Sequence, residues 1–167
     1  MNKTNKYNSA AIILAAGKGT RMGSDLPKVL HKVAGRPMIE WVVKTCQESG
    51  SKPIVVIGHK RNLIEKQLAN YNVTYAVQEE QLGTGHAVQC AKNQVQNFNL
   101  AYVLAGDGPL IRPLTLKRMM EIHVETNASA TLATSYVKNP TGYGRILRNK
   151  DNRFSSIIEE KNANEEQ

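Results

Sequence analysis

The chain has 167 residues, of which 41% are hydrophobic and 22% are charged. This length fits one domain with a sizeable core, and this composition argues against extended disorder outside the two ends. The formal net charge of +8 comes from scattered Lys and Arg residues, which favours phosphorylated small substrates over a nucleic acid as partners. No stretch is suited to a membrane span or a signal peptide, and Cys46 and Cys90 lack metal-site spacing, so we predict a cytoplasmic protein with no membrane partner.

The first predicted strand leads into a glycine-rich turn. After a loose polar leader, residues 1–9, an apolar run over residues 11–14 predicts a strand buried on both faces. Gly17 and Gly19 let the backbone turn sharply, so that successive N–H groups can bind phosphate oxygens. The spacing of these glycines fits neither a P-loop nor the dinucleotide fingerprint. We therefore predict another kind of anion site, one for a nucleotide.

Strands and helices then alternate as far as residue 126. Apolar runs predict further buried strands, and apolar residues at helical spacing predict the helices between them. The predicted elements are a helix over 37–50, a strand over 53–57, a helix over 62–68, a strand over 73–77, a helix from 84, a strand over 100–104 and a helix over 116–124. This order predicts an α/β fold, a Rossmann-like three-layer α/β/α domain whose mostly parallel sheet is covered on both faces.

Three polar segments each follow a predicted strand directly. They are the glycine turn, the loop over residues 78–84 and Asp107. In parallel sheets ligands bind outside the carboxyl ends of the strands, so we expect all three segments to line one crevice. Arg21 and Lys28 follow the glycine turn and add positive charge to the same region.

The C-terminal part shows strand patterns without intervening helices. Residues 130–137 predict one strand, and residues 142–145 and 157–160 predict two more. The polar residues 149–152 predict a turn between the last two strands. We expect a β-rich extension after the α/β part.

The run Leu-Ala-Ala-Gly-Lys-Gly-Thr-Arg-Met at residues 14–22, followed by Pro27 and Lys28, resembles the signature of the nucleoside-diphosphate-sugar pyrophosphorylases. The continuation Lys-Val-Leu-His at 28–31, with Gly35 and Pro37-Met38, is most similar to the bacterial N-acetylglucosamine-1-phosphate uridylyltransferases. The segments Gln-Glu-Glu-Gln-Leu-Gly-Thr-Gly-His-Ala at 78–87 and Thr-Gly-Tyr-Gly-Arg-Ile at 141–146 resemble the uracil-selecting and sugar-side segments of the same family. The resemblance covers residues 10 to about 163. It implies the nucleotide-diphospho-sugar transferase fold in one domain over residues 10–167, incomplete at its C-terminus, with the β-rich extension on the sugar side.

The resemblance also implies a reaction. A uridylyl group would pass from UTP to N-acetylglucosamine 1-phosphate, giving UDP-N-acetylglucosamine for cell-wall, peptidoglycan and lipopolysaccharide precursors, and pyrophosphate would leave. Lys28 would neutralise the α-phosphate, Arg21 would neutralise the departing phosphates, and Asp107 would hold Mg²⁺ as cofactor. Gln78, with the backbone at Gly83 and Thr84, would select uracil. The implied substrate-binding residues are Leu14, Ala15, Ala16, Gly17, Lys28, Gln78, Gly83, Thr84, Ala105, Gly106, Asp107 and, for the sugar, Gly144 and Glu159.

The sequence also departs from this family. The family's transferase domain continues past the point where this sequence ends, supplying an Asn at the sugar site and a later Asn as second metal ligand, and the bifunctional members add a C-terminal β-helix that drives trimer formation. Gly108 stands where an aliphatic residue is usual and Asn162 where Asp is common. We therefore expect this chain to bind a uridine nucleotide but to turn over poorly or not at all. Its self-association stays open.

Two other interpretations remain. In the first, the chain is a pyrophosphorylase for another sugar or nucleotide. In the second, it is a non-catalytic nucleotide-binding fragment, and the missing metal ligand is the feature that supports this interpretation. The related cytidylyl- and guanylyltransferases share the first motif but lack the segments at 81–87 and 141–145. Those two segments favour uridine and an acetamido sugar.

Overall fold

A computed structural model describes residues 7–19 and 22–165. The chain divides into two compact units, Met1–Ser129 and Ala130–Gln167. Within the described residues, the first unit contains a four-stranded parallel sheet, and the second contains a two-stranded antiparallel hairpin. The predicted Arg21 lies outside the described residues.

The first unit is built on its central strand. The strands are, in chain order, β1 Ser9–Leu14, β2 Lys32–Val33, β3 Arg36–Pro37, β4 Lys52–Ile57, β5 Thr74–Val77 and β6 Leu100–Ala105. Four of them form a parallel sheet in the order β5-β4-β1-β6, in which Ile12 of β1 is level with Ile54 of β4 and with Val103 of β6. The strands β2 and β3 form a separate antiparallel pair. The parallel α/β sheet predicted from the sequence is confirmed.

Helices connect the strands of the parallel sheet. They are α1 Met38–Glu48, α2 Arg61–Gln67, α3 Thr84–Cys90, α4 Lys92–Val95 and α5 Pro113–Glu125. Pro113 begins α5, where a residue without an N–H loses no helical hydrogen bond. The predicted helices are all present, and the one-turn α4 was not predicted. Within the described residues, no helix is long and apolar enough to cross a membrane.

Two apolar clusters hold helices against the two faces of the sheet. Because side chains alternate along a strand, Ile13 of β1 packs on one face with Ile39 of α1 and Leu116 of α5. Its neighbour Ile12 packs on the opposite face with Ala87 of α3. These four larger side chains and Ala87 are buried. The result is the predicted three-layer arrangement.

The cover is uneven at the β6 edge of the sheet. Tyr102 and Leu104 pack against the cluster that contains Leu116, and the Tyr102 hydroxyl donates to the Leu116 carbonyl over 2.7 Å. On the opposite face Val103 is 50% exposed. The cluster on that face draws its strand residues from β1, β4 and β5. Among the described residues of the first unit, helices therefore cover both faces of the sheet at its centre but one face of β6.

The second unit contains the hairpin predicted near the C-terminus. Its strands are β7 Arg145–Arg148 and β8 Phe154–Ile158, paired antiparallel. The polar turn between them is closed by a hydrogen bond from the Asn152 N–H to the Asn149 carbonyl, 2.9 Å long. Asn152 adopts a φ of 60°, a conformation that Asn tolerates well. The predicted hairpin and its turn are confirmed, but its strands lie nearer the turn than the predicted residues 142–145 and 157–160.

The strand predicted over residues 130–137 is wrong. This segment forms no strand ladder with any part of the chain that the structure describes. Its large side chains are exposed, with Leu132 at 53% and Tyr136 at 106%. Residues with high strand propensity form a strand only where another strand pairs with their backbone groups. Among the described residues, no neighbouring strand pairs with this segment.

Candidate active site

The carboxyl ends of the parallel strands bring three loops of the first unit together. Because β5, β4, β1 and β6 run in the same direction, the segments after Leu14, Val77 and Ala105 leave the sheet at one edge. Hydrogen bonds join these segments: Gln81 Nε2 donates to the Ala16 carbonyl over 2.7 Å, and the Gly106 N–H donates to the Leu14 carbonyl over 2.9 Å. The expected convergence of the three loops is therefore observed.

The glycine turn begins in the core and ends at the surface. Ala15 and Ala16 are buried, and the Ala15 N–H donates to the Val56 carbonyl of β4 over 2.9 Å. Gly17 is exposed. Gly19 has a φ of +62°, and a Cβ on it would lie 2.9 Å from the Cβ of Lys28. Glycine at position 19 thus lets the turn pack directly against the residue that carries the predicted phosphate-binding cation.

Lys28 and Asp107 form an ion pair at this edge of the sheet. The Lys28 Nζ lies 2.6 Å from Asp107 Oδ2, and both side chains are partly open to solvent. Lys28 begins a 3₁₀ turn that is anchored by the buried Val29 and Leu30. Asp107 follows Gly106, where a Cβ would lie 2.8 Å from the Leu14 carbonyl oxygen. Close packing of β1 against the loop after β6 therefore sets the position of the carboxylate.

The loop after β5 encloses a buried amide. Gln78 is 4% exposed, and its N–H donates to the Ile57 carbonyl over 2.8 Å. The side-chain Nε2 lies 3.2 Å from the Gly83 carbonyl oxygen and 3.1 Å from His86 Nδ1. Gly83 has a φ of +96° and immediately precedes α3, which begins at the exposed Thr84. The structure thus brings the three residues predicted to select uracil into one loop.

Two residues at this edge were missed by the sequence analysis. His86 contacts Gln78, and Gln81 bonds to the glycine turn. Both lie inside the motif at 78–87, but no role was assigned to either. The available signal was the spacing within the motif, which places His86 eight residues after Gln78, in the predicted helix.

Gly144 and Glu159 lie at one end of the hairpin in the second unit. They flank the paired residues Arg145 and Ile158, and both are exposed. The neighbouring Glu160, for which no role was predicted, accepts a 2.6 Å hydrogen bond at Oε2 from the Gly142 N–H, and its Oε1 lies 3.7 Å from the Arg145 guanidinium. Glu160 therefore ties the turn before β7 to the residues after β8.

The donor set for a metal at the sheet edge is small. Within the described residues, no group of three or more His, Cys, Asp or Glu side chains could hold a metal ion. Asp107 offers carboxylate oxygens, the ligand type that Mg²⁺ prefers, and Mg²⁺ commonly takes one or two protein carboxylates besides phosphate and water. The residues present therefore fit a metal held jointly with a phosphorylated ligand.

Strong pKa shifts occur elsewhere, in the core. Burial raises the pKa of the Cys46 thiol from 9.0 to about 12, and burial, with a smaller contribution from Cys46, raises the pKa of Tyr102 to about 12. A protonated, buried thiol is a poor nucleophile. These two groups are structural, and the sheet edge offers cation, carboxylate and amide chemistry.

The fold and the sheet-edge loops define a nucleotidyltransferase domain. Residues 11–156 match the MobA-like NTP transferase domain, and the chain belongs to this family. Among curated proteins, it is 48% identical over 161 residues to the bifunctional protein GlmU of Clostridioides difficile (strain 630), covering 96% of this chain and 35% of that protein. It is 49% identical over 161 residues to the GlmU of Geobacter metallireducens, covering 95% and 34%. The chain thus spans about a third of the length of these relatives.

Solved structures agree with the fold. HddC from Yersinia pseudotuberculosis, complexed with GMP-PN, superposes with a TM-score of 0.68 over 92% of this chain and 69% of that one, at 22% identity. The UDP-glucose pyrophosphorylase from Acinetobacter baumanii has a TM-score of 0.59 over 72% and 54%, at 26% identity. The nucleotide-diphospho-sugar transferase fold implied by the first motif is therefore confirmed.

Proposed function

We propose that the chain is the nucleotide-binding part of a uridylyltransferase that uses UTP and N-acetylglucosamine 1-phosphate and yields UDP-N-acetylglucosamine and pyrophosphate. The main structural support for this proposal is that the glycine turn, the Gln78 loop and the Lys28–Asp107 pair lie together at one edge of the sheet. The similarity to GlmU proteins over nearly the whole chain supports this choice of nucleotide and sugar. Reduced cysteines, Cys46 and Cys90, accord with a cytoplasmic location.

The proposed reaction is an in-line displacement at phosphorus. A phosphate oxygen of the sugar 1-phosphate attacks the α-phosphorus of UTP, the bond from that phosphorus to the oxygen bridging to the β-phosphate breaks, and pyrophosphate leaves with the electron pair. Such a reaction requires positioning and charge neutralisation more than proton transfer. Gly17, at the exposed end of the glycine turn, offers its backbone N–H to the nucleotide, and Lys28 lies beside that turn.

Each predicted site residue has a part in this proposal. Leu14 to Gly17 and Ala105 to Asp107 line the nucleotide at the ends of β1 and β6, and Gln78, Gly83 and Thr84 read the base. Lys28 neutralises the α-phosphate, and Arg21 the departing phosphates. Gly144 and Glu159 bind the sugar, because a carboxylate accepts hydrogen bonds from hydroxyl groups and a glycine leaves room for an acetamido group. Asp107 would hold a Mg²⁺ ion, which neutralises phosphate charge when bound.

The test is pyrophosphate release by the full 167-residue chain from UTP, N-acetylglucosamine 1-phosphate and Mg²⁺, compared with Asp107→Asn. Because this chain is expected to turn over poorly, we expect release to be slow, to require both substrates and to fall further in the variant. Faster release with another nucleotide or sugar phosphate would contradict the proposed specificity. Binding of UTP without any release would favour a non-catalytic nucleotide-binding role.

A further inference from the structure

The orientation of the Gln78 side-chain amide is determined by its surroundings. A carbonyl oxygen can only accept hydrogen bonds, so the amide atom 3.2 Å from the Gly83 carbonyl must be the NH₂ group, Nε2. The same Nε2 lies 3.1 Å from His86 Nδ1. Since an amide nitrogen only donates, Nδ1 must be the unprotonated ring nitrogen. The Gln78 amide thus donates one N–H to the Gly83 carbonyl and the other to His86 Nδ1.

The histidine tautomer follows from this contact. With Nδ1 accepting, a neutral His86 ring carries its proton on Nε2, which lies 3.8 Å from Cys90 Sγ. His86 and Cys90 are four residues apart on α3, so both face the same side of this helix. The helix therefore holds an acceptor against the Gln78 amide.

The remaining polar atom of the Gln78 side chain is its oxygen. Oε1 accepts no hydrogen bond from any residue that the structure describes. In that part of the chain, the buried side-chain atoms without a hydrogen-bond partner are His31 Nε2 and Gln94 Oε1, and Gln78 Oε1 is not one of them. With both N–H groups bound inside the protein, Gln78 can offer a ligand only an acceptor. Uracil carries a donor at N3–H, whereas cytosine carries an acceptor at N3.

We propose that His86 is a positioning residue that fixes the Gln78 amide so that its oxygen faces the base, and that this selects uracil over cytosine. The inference rests on the proposed uridine site and deepens it by naming what holds the base-reading group. If His86 could not accept, one N–H of a nearly buried amide would lose its partner, and the amide would gain by rotating toward another acceptor such as cytosine N3.

The test compares UTP and CTP affinities by titration calorimetry on the full chain with Mg²⁺. His86→Leu removes the acceptor, and we expect it to weaken UTP binding about three- to tenfold while changing CTP binding little. His86→Asn places an amide oxygen where Nδ1 stood, so it should restore most of the preference. Gln89→Leu, a polar-to-Leu change at an exposed position of α3, is the matched control and should behave as the wild type.

The outcomes separate this inference from the proposed function. A wild type that binds UTP and CTP equally would overturn both, whereas an undiminished UTP preference in a folded His86→Leu variant would overturn only the positioning role. Loss of preference in folded His86→Asn equal to that in His86→Leu would also overturn it. Should His86→Leu fail to fold, ¹⁵N spectroscopy of the wild type decides: an unprotonated Nδ1 is expected in the neutral ring, and a proton on Nδ1 would overturn the inference.

Discussion

The Lys28 ammonium group lies 2.6 Å from the Asp107 carboxylate, and this contact joins the 3₁₀ turn that begins at Lys28 to the loop after β6. The cation proposed for the α-phosphate and the carboxylate proposed for Mg²⁺ thus neutralise each other. Both side chains remain partly exposed, so solvent weakens the pair and either group can turn to a ligand. Binding of a nucleotide with its metal would exchange one ion pair for two.

Removing the cation should affect the rate more than binding. In Lys28→Ala we expect the already slow release of pyrophosphate to fall further, by about 10²–10³-fold, because charge on the phosphates is greatest in the transition state. The affinity for UTP, measured by calorimetry, should fall much less. Lys66→Ala, at an exposed position of α2, is the control. Equal losses of rate and affinity would argue against a transition-state role.

The ion pair should also compete with metal binding. Without nucleotide, Lys28→Met should bind Mn²⁺ about two- to fivefold more tightly than the wild type. An exposed ion pair of this kind stabilises the protein only slightly, but it must break before Asp107 can bind the metal. Asp107→Asn should bind Mn²⁺ more weakly than either. Paramagnetic broadening of nearby amide signals measures both affinities. If Asp107→Asn bound Mn²⁺ as tightly as the wild type, this carboxylate would not be a metal ligand.

Gly106 is expected to be a structural requirement of the sheet edge. A Cβ at this position would lie 2.8 Å from the Leu14 carbonyl oxygen, so Gly106→Ala should lower the free energy of unfolding by about 1–3 kcal/mol. A Cβ on Gly17 meets nothing within 4 Å, and Gly17→Ala is the matched control with little change in stability. Urea denaturation measures both variants. Equal stability of the two would contradict the close packing of β1 against the loop after β6.

Stability should fall at alkaline pH because of Cys46. Burial raises its pKa from 9.0 to about 12, so above pH 9 the unfolded chain loses the proton while the folded chain keeps it. The folded state then holds more protons, and its stability decreases as pH rises from about 9 to 12, by at most about 1.4 kcal/mol per pH unit for this group. Cys46→Val should show a shallower decline in urea denaturation between pH 8.5 and 10. A decline as steep as in the wild type would assign the effect to other groups.

The α/β core was predictable because its signals are local. Apolar runs such as that from Ala11 to Leu14 and helical spacing after Pro37 specify elements that pack onto one sheet, and the alternation specifies parallel pairing. The strand predicted over 130–137 failed because pairing depends on a partner, which propensity does not reveal. The convergence of the three loops followed from topology alone.

Finer features of the site depended on contacts between segments. The sequence motif contains His86, but its contact with Gln78 depends on the turn at Gly83 that carries the chain from β5 into α3. The ion pair of Lys28 with Asp107 joins residues 79 positions apart (107 − 28), and each was predicted separately for a different ligand. Glu160, which ties the hairpin to the turn at Gly142, gave no motif signal at all.

A competition between UTP and CTP for the wild-type chain in the presence of Mg²⁺, followed by amide chemical shifts, tests the proposed uridine site. We expect UTP to bind at least about tenfold more tightly than CTP, because a site built to pair with a base's polar groups rejects the swapped donor and acceptor. We also expect the shifted amides to lie in residues 15–19, 78–86 and 106–107. Equal affinity for the two nucleotides, or shifts confined to other parts of the chain, would contradict it.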